Sequence, residues 1–178
     1  MQLHKGVTMP KRRVFYSFDY DQDVFRVQLV RNMGTLFDNE PVIPSQWEKI
    51  KRGGNLAIKK WIDEEMAKCS CVIVLIGSHT YSSSWVKYEI QQAWALGKGL
   101  LGVYIHNLKD LRTGTCSKGL NPFSMITVPY RGISTPLSQL VRDYDPPSYD
   151  AYNYIYYNLS SLVEDAIANR YRLSGGRL

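Results

Sequence analysis

The segment Cys71-Val72-Ile73-Val74-Leu75-Ile76-Gly77, followed at once by Ser78-His79-Thr80-Tyr81-Ser82-Ser83-Ser84-Trp85-Val86-Lys87-Tyr88-Glu89-Ile90, decides the fold. An apolar run with no polar alternation reads as a strand buried on both faces, the pattern of a parallel sheet. The polar stretch Ser78 to Ser84 then leads into a helix that the spacing places from Trp85 to Leu96. Val86, Ile90 and Ala93 form its inward stripe, and Gly97 is its terminator. Glu89 stands about one turn into that helix, just past the carboxyl end of a central strand, where open α/β sheets bind ligands. On pattern alone two readings of Glu89 remain: a solvated carboxylate pairing with Lys87 or a nearby arginine, and an acid that handles a nucleotide.

Outward from this unit, Val14 to Phe18 reads as a first strand, and Asp19 to Asp23 as a turn whose acids cap the next helix. Phe25, Leu29 and Met33, with Val30 and Leu36, place that helix over residues 22–37. Pro41 and Pro44 break the chain into a loop, with a short strand expected within 38–47. Asn55 opens a helix with Ile58, Ile62 and Met66 on one stripe, and Leu100 to Ile105 is another buried strand. From His106 to about Asp145 the periodicity dissolves into a long polar connection with one weak strand, Met125 to Val128. A final helix runs from about Tyr149 to Tyr171. The alternation predicts an α/β, flavodoxin-like three-layer sandwich: a central, mostly parallel sheet of four to five strands with helices on both faces. The expected organisation is a flexible N-terminus at 1–12, one domain over 13–172 and a flexible tail at 173–178.

The 178 residues suffice for one sizeable core. A hydrophobic fraction of 44% and a charged fraction of 21% are ordinary globular values. The formal charge of +6 favours anionic ligands, but no nucleic-acid motif accompanies Lys5, Lys11, Arg12 and Arg13, so no nucleic-acid partner is expected. Cys69, Cys71 and Cys116 lack metal-ligand spacing and read as reduced thiols. There is no signal peptide and no apolar run of the ~18 residues that a membrane span needs, so a soluble, cytoplasmic protein is expected. Six of the 13 tyrosines fall between Tyr144 and Tyr157, and packing against the domain is their expected use.

No Gly-rich dinucleotide fingerprint follows the first strand, and there is no phosphate loop, zinc spacing or nucleophile elbow. This argues against classical dehydrogenases, P-loop NTPases, zinc hydrolases and α/β-hydrolases. The candidate site is the set of loops at the carboxyl edge of the sheet. Ser17, Phe18, Asp19 and Tyr20 follow the first strand, Trp47 lies in Pro44-Ser45-Gln46-Trp47, and Ser78 and His79 precede Trp85 and Glu89. On a helix Trp85, Tyr88 or Glu89, and Gln92 share a face, read as distinct from the Val86, Ile90, Ala93 stripe. Each has a plainer reading: His79 as an ordinary loop residue, Trp85 as a staple for the helix start, Asp19 and Asp21 as caps rather than metal ligands.

The segments Val14-Phe15-Tyr16-Ser17-Phe18, Asp23 to Val27, Ser45-Gln46-Trp47-Glu48, Val72 to Tyr81 and Trp85 to Ile90 together resemble TIR-like domains. The likeness is greatest to the TIR-like (ThsB-type) subunit of the bacterial Thoeris antiphage system. It covers roughly Arg13 to Phe123, including the loop Lys118-Gly119-Leu120-Asn121-Pro122-Phe123, and the Trp-Val-x-Tyr-Glu-Ile segment is its most specific part. The resemblance implies a TIR-like sandwich and an NAD-cleaving enzyme whose essential glutamate is Glu89, with NAD as substrate and no cofactor. It further implies a cyclic ADP-ribose isomer made on infection, which switches on a nucleotide-responsive partner effector. A phage-derived trigger and self-assembly belong to the same expectation. Two rivals stand beside it: a non-catalytic TIR-like module that signals through protein contacts, and a different N-ribosyl bond enzyme such as a deoxyribosyltransferase relative.

Overall fold

The computed structural model describes residues 11–38 and 44–176; the side chains of 37, 38 and 44–47 lie outside the description. Strand β1 (Arg13–Ser17) leads into α1 (Tyr20–Asn32), then β2 (Phe37–Asp38), α2 (Pro44–Arg52) and α3 (Gly54–Ala67). The deciding segment forms β3 (Cys71–Ile76) and α4 (Ser84–Ala95), followed by β4 (Gly99–Tyr104). A hairpin of β5 (Thr127–Tyr130) and β6 (Ile133–Pro136) precedes β7 (Asp143–Tyr144) and α5 (Ala151–Leu173).

Five strands join in the order β2-β1-β3-β4-β7, every pair parallel. All six residues of β3 are buried, as a strand covered on both faces requires. Its side chains alternate between two cores. Cys71, Ile73 and Leu75 pack with Val27 and Val30 of α1 and with Ile155, Leu159 and Val163 of α5. Val72, Val74 and Ile76 pack with Ile58, Ile62 and Met66 of α3 and with Val86, Ile90 and Ala93 of α4. This is the three-layer α/β sandwich that the sequence predicts.

Local chemistry sets the helix ends. Asp19 caps α1 by accepting from the Asp21 N–H at 3.2 Å, and Ser83 caps α4 by accepting from the Val86 N–H at 3.4 Å. Gly97, at φ +70°, stops α4 in the left-handed conformation that costs glycine least.

Four expectations change. Helix α1 runs from Tyr20 to Asn32, not over 22–37, because the chain turns at Gly34 with φ +64°. Its buried apolar residues are Val27 and Val30, with Met33 just past its end; Phe25 lies outside, under the Arg112 guanidinium at 3.8 Å. Pro44 opens α2 instead of continuing a loop, since the first helical position needs no N–H from proline. The short strand expected within 38–47 is β2 at its very start, and residues 39–43 lie outside the described chain. The strand near 125 belongs to the β5–β6 hairpin, closed by Arg131 and Gly132 at positive φ; the fifth strand of the main sheet is β7.

Of the expected flexible N-terminus, residues 1–10 lie outside the description, while Arg12 pairs with Glu164 of α5 at 2.6 Å. Helix α5 reaches Leu173, and residues 177–178 lie outside. Among the clustered tyrosines Tyr149, Tyr152, Tyr156 and Tyr157 are exposed, whereas Tyr144 and Tyr154 pack against the core.

Candidate active site

The strand order places a topological switch between β1 and β3: the chain leaves β1 for the α1 face and β3 for the α4 face. Ligands of open α/β sheets bind in the crevice this creates at the carboxyl ends of the strands. Ser17 is the last residue of β1, and Glu89 lies in the second turn of α4. The Ser17 hydroxyl donates a hydrogen bond to Glu89 Oε2 across the switch.

Glu89 is only 8% exposed and flanks the Val86, Ile90, Ala93 stripe instead of standing apart from it. It is therefore not the solvated surface charge of the plainer reading. Burial pushes its carboxyl up to about 8, and the Ser17 hydrogen bond pulls in the opposite direction. At neutral pH the raised value thus favours a protonated Glu89, a perturbation of the kind that clusters at functional sites.

A cleft of about 210 Å³ opens beside this pair. Among the described residues β2 pairs with Arg13 and Val14, and Phe15 and Tyr16 line the cleft. Phe18, Asp19 and Tyr20 form its mouth, with the Phe18 and Tyr20 rings 5.9 Å apart. Trp85, one helical turn before Glu89, and Trp61 of α3 add flat aromatic walls. The other long wall is α1, which presents Asp21, Val24, Gln28 and Arg31 at three- and four-residue spacing, and Lys51 of α2 joins it. Burial pushes the Tyr20 phenol up, against the pull of the Lys51 and Arg31 charges near it.

The structure thus gathers Phe18, Asp19, Tyr20, Trp85 and Glu89 around one cleft, with Ser17 bonded to Glu89. Ser78 and His79 are not part of its lining; their side chains bond each other at 2.9 Å. Trp47 falls on α2, and its side chain lies outside the described residues. Tyr88 turns to α3 and donates to Asp63 at 2.9 Å. Sequence reasoning missed Arg31, Gln28, Lys51 and Trp61. The signal for the first two was present as the Asp21, Val24, Gln28, Arg31 stripe, hidden by centring the helix on Phe25.

A second buried constellation ties α1 to the connection after β4. Asp23 and Arg26 form a buried ion pair at 3.2 Å, and Arg26 also donates to the carbonyls of Leu108 at 3.1 Å and Gly114 at 2.9 Å. Burial raises Asp23 and Arg26 counters it. A Cβ on Gly77 would collide with the Asp23 carboxylate, and one on Gly119 with the Gly77 carbonyl. Glycine is required here by close approach.

Residues 15–110 match the family described as Thoeris protein ThsB, TIR-like domain, more than half of the chain. The chain belongs to this family. It is also 38% identical over 125 residues to a Bacillus cereus (strain MSX-D12) protein named "Putative cyclic ADP-D-ribose synthase ThsB1". That match covers 67% of this chain and 65% of the relative, so it spans slightly less than two thirds of the relative's length. The ThsB family segment contains β1 from Phe15 onward, the α1 wall, α3 and the whole β3–α4 unit with Glu89, and it ends before the β5–β6 hairpin. No helix among the described residues is long and apolar enough to cross a membrane.

Proposed function

We propose that this ThsB-family chain cleaves NAD at the nicotinamide–ribose bond, with Glu89 as the catalytic carboxylate, and releases a cyclic ADP-ribose as a diffusible signal. The observation that carries the reading is the setting of Glu89: a water-shielded carboxylate at the β1/β3 switch, in an aromatic cleft. The name of the Bacillus cereus relative supports the same chemistry.

The pyridinium of NAD already carries a positive charge. When the C1′–N bond breaks, its electron pair neutralises the ring and nicotinamide leaves without needing an acid. The ribose passes through an oxocarbenium-like state, as in glycoside cleavage. A carboxylate beside it stabilises the developing charge, and does so more strongly where water is excluded. Entry of the cationic pyridinium into the low-dielectric cleft favours loss of the Glu89 proton. The Ser17 hydroxyl then holds one carboxylate oxygen in place. Phe18, Tyr20, Trp61 and Trp85 supply faces for flat rings and keep solvent away. If an adenosine-ribose hydroxyl attacks C1′, losing its proton as the bond forms, the product is cyclic; water in its place gives linear ADP-ribose.

In this reading the product reaches a nucleotide-responsive effector of the same antiphage system, and a phage-derived trigger or self-assembly sets the activity. The test is chromatography of NAD incubated with the purified chain, alone and with extract of phage-infected cells. Nicotinamide together with a cyclic ADP-ribose isomer supports the proposal. Linear ADP-ribose alone removes the cyclic signal, and no nicotinamide under either condition favours the interaction-module reading.

A further inference from the structure

The walls of the cleft are electrostatically unequal, and the inequality follows α1. Asp19 and Asp21 stand at the start of the helix beside the Ser17–Glu89 pair, while Arg31 stands in its last turn. At about 1.5 Å per residue, the stripe from Asp21 through Val24 and Gln28 to Arg31 is about 15 Å long. Lys51 reaches the same cleft from α2. Arg31 and Lys51 are the basic residues of the lining, both close enough to the Tyr20 phenol to act on its charge, and Asp19, Asp21 and Glu89 are its acids.

Helix N-termini ordinarily attract phosphate through their free N–H groups and dipole. Here that mode is closed: Asp19 caps α1 with its own carboxylate, and Asp21 adds a second negative charge in the first turn. These carboxylates would repel a dianionic diphosphate, and the two cations that come near the Tyr20 phenol are what the cleft offers it. Arg31 is braced by the Tyr16 ring, 5.6 Å from its guanidinium, which holds a planar, two-pronged donor suited to phosphate oxygens. Lys51 pairs with Glu48 at 2.8 Å and carries a compact charge on a flexible stem.

Building on the NAD reading above, we propose that Arg31 and Lys51 form the diphosphate subsite of this cleft, so that the dinucleotide lies along α1 with its nicotinamide ribose at Glu89. The subsite selects ligands that carry a diphosphate over bare nicotinamide nucleosides. It also grips ADP-ribose after nicotinamide has left, which retains the intermediate while the ring closes.

Calorimetric titration of the full chain with ADP-ribose and, separately, with nicotinamide riboside tests this. A hydrogen bond to a charged group contributes about 1.5–3 kcal/mol, so Arg31→Gln and Lys51→Gln should each weaken ADP-ribose about 10- to 100-fold. Nicotinamide riboside should keep its wild-type affinity, and Arg31→Lys should recover part of the loss. Lys51 is the more exposed position, and Lys51→Gln keeps the test valid should Arg31→Gln unfold. Unchanged ADP-ribose affinity in both glutamine variants, equal losses for both ligands, or no ADP-ribose binding by the wild type would each overturn the subsite. Nicotinamide release is scored in parallel. Charge-dependent ADP-ribose binding without NAD cleavage would uphold the subsite and reject the cleavage reading. Glu89-dependent cleavage with wild-type KM in both glutamine variants would do the reverse.

Discussion

Glu89 is kept from water by its helix and by the strand end it faces, and its titration carries the consequence. The carboxyl is raised to about 8, so its carboxylate form becomes populated as pH rises towards that value. On the proposed mechanism kcat/KM for nicotinamide release should climb about tenfold per pH unit below that value and level off above it. A profile flat from pH 6 to 9 would remove Glu89 as the titrating group. Ser17 lowers the Glu89 value through its hydrogen bond, so Ser17→Ala should move the profile to higher pH and cut the rate at pH 7 several-fold. An unshifted profile would leave Ser17 without a role in tuning the acid. The address of Glu89 was legible from the apolar run before it and the helix pattern around it. Its burial was not, because periodicity put it on a polar face and only the fold shows β1 ending against it.

At the scale of elements, α1 is held to the connection after β4 by Asp23, Arg26 and the carbonyls of Leu108 and Gly114. Removing one member of a buried ion pair leaves the other charge uncompensated, at a cost of about 3–5 kcal/mol. Arg26→Leu should lower Tm by roughly 2–4 °C per kcal/mol and speed hydrogen exchange in residues 106–116. Gly77→Ala should act on the same contact by displacing the Asp23 carboxylate, with a smaller loss in Tm. Wild-type exchange in that loop for both variants would show that the pair does not brace it. None of this was legible, since Asp23 and Arg26 look like ordinary helical charges and the carbonyls that Arg26 reaches lie more than 80 residues away. Helix α2 was likewise hidden, because Pro44 reads as a breaker unless it is known to occupy the first helical turn.

Across the whole molecule, the parallel sheet with helices on both faces was legible because β3 and β4 are continuous apolar runs and α3, α4 and α5 keep clean stripes. The fifth strand was not: β7 has two residues, Asp143 and Tyr144, with no apolar signal, and pairing with β4 alone makes it a strand. The buried acid also links site and stability. Its folded value lies above the ordinary carboxylate value of 4.5, so its contribution to stability is intact below that value and is lost as pH rises through about 8. Glu89→Gln should therefore melt several degrees above wild type at pH 8, and the gap should close towards pH 4.5. Equal melting temperatures at both pH values would mean that Glu89 ionises freely in the folded chain.

The central claim is that the Glu89 carboxylate breaks the nicotinamide–ribose bond. Its most direct test is the initial rate of nicotinamide release from NAD, measured for wild type and Glu89→Gln in the same infected-cell extract. The account predicts release by wild type and a loss of about 10²-fold or more in the folded variant, the scale on which removing one preorganised electrostatic group acts. Release by Glu89→Gln within a few-fold of wild type, or none by wild type, would contradict it.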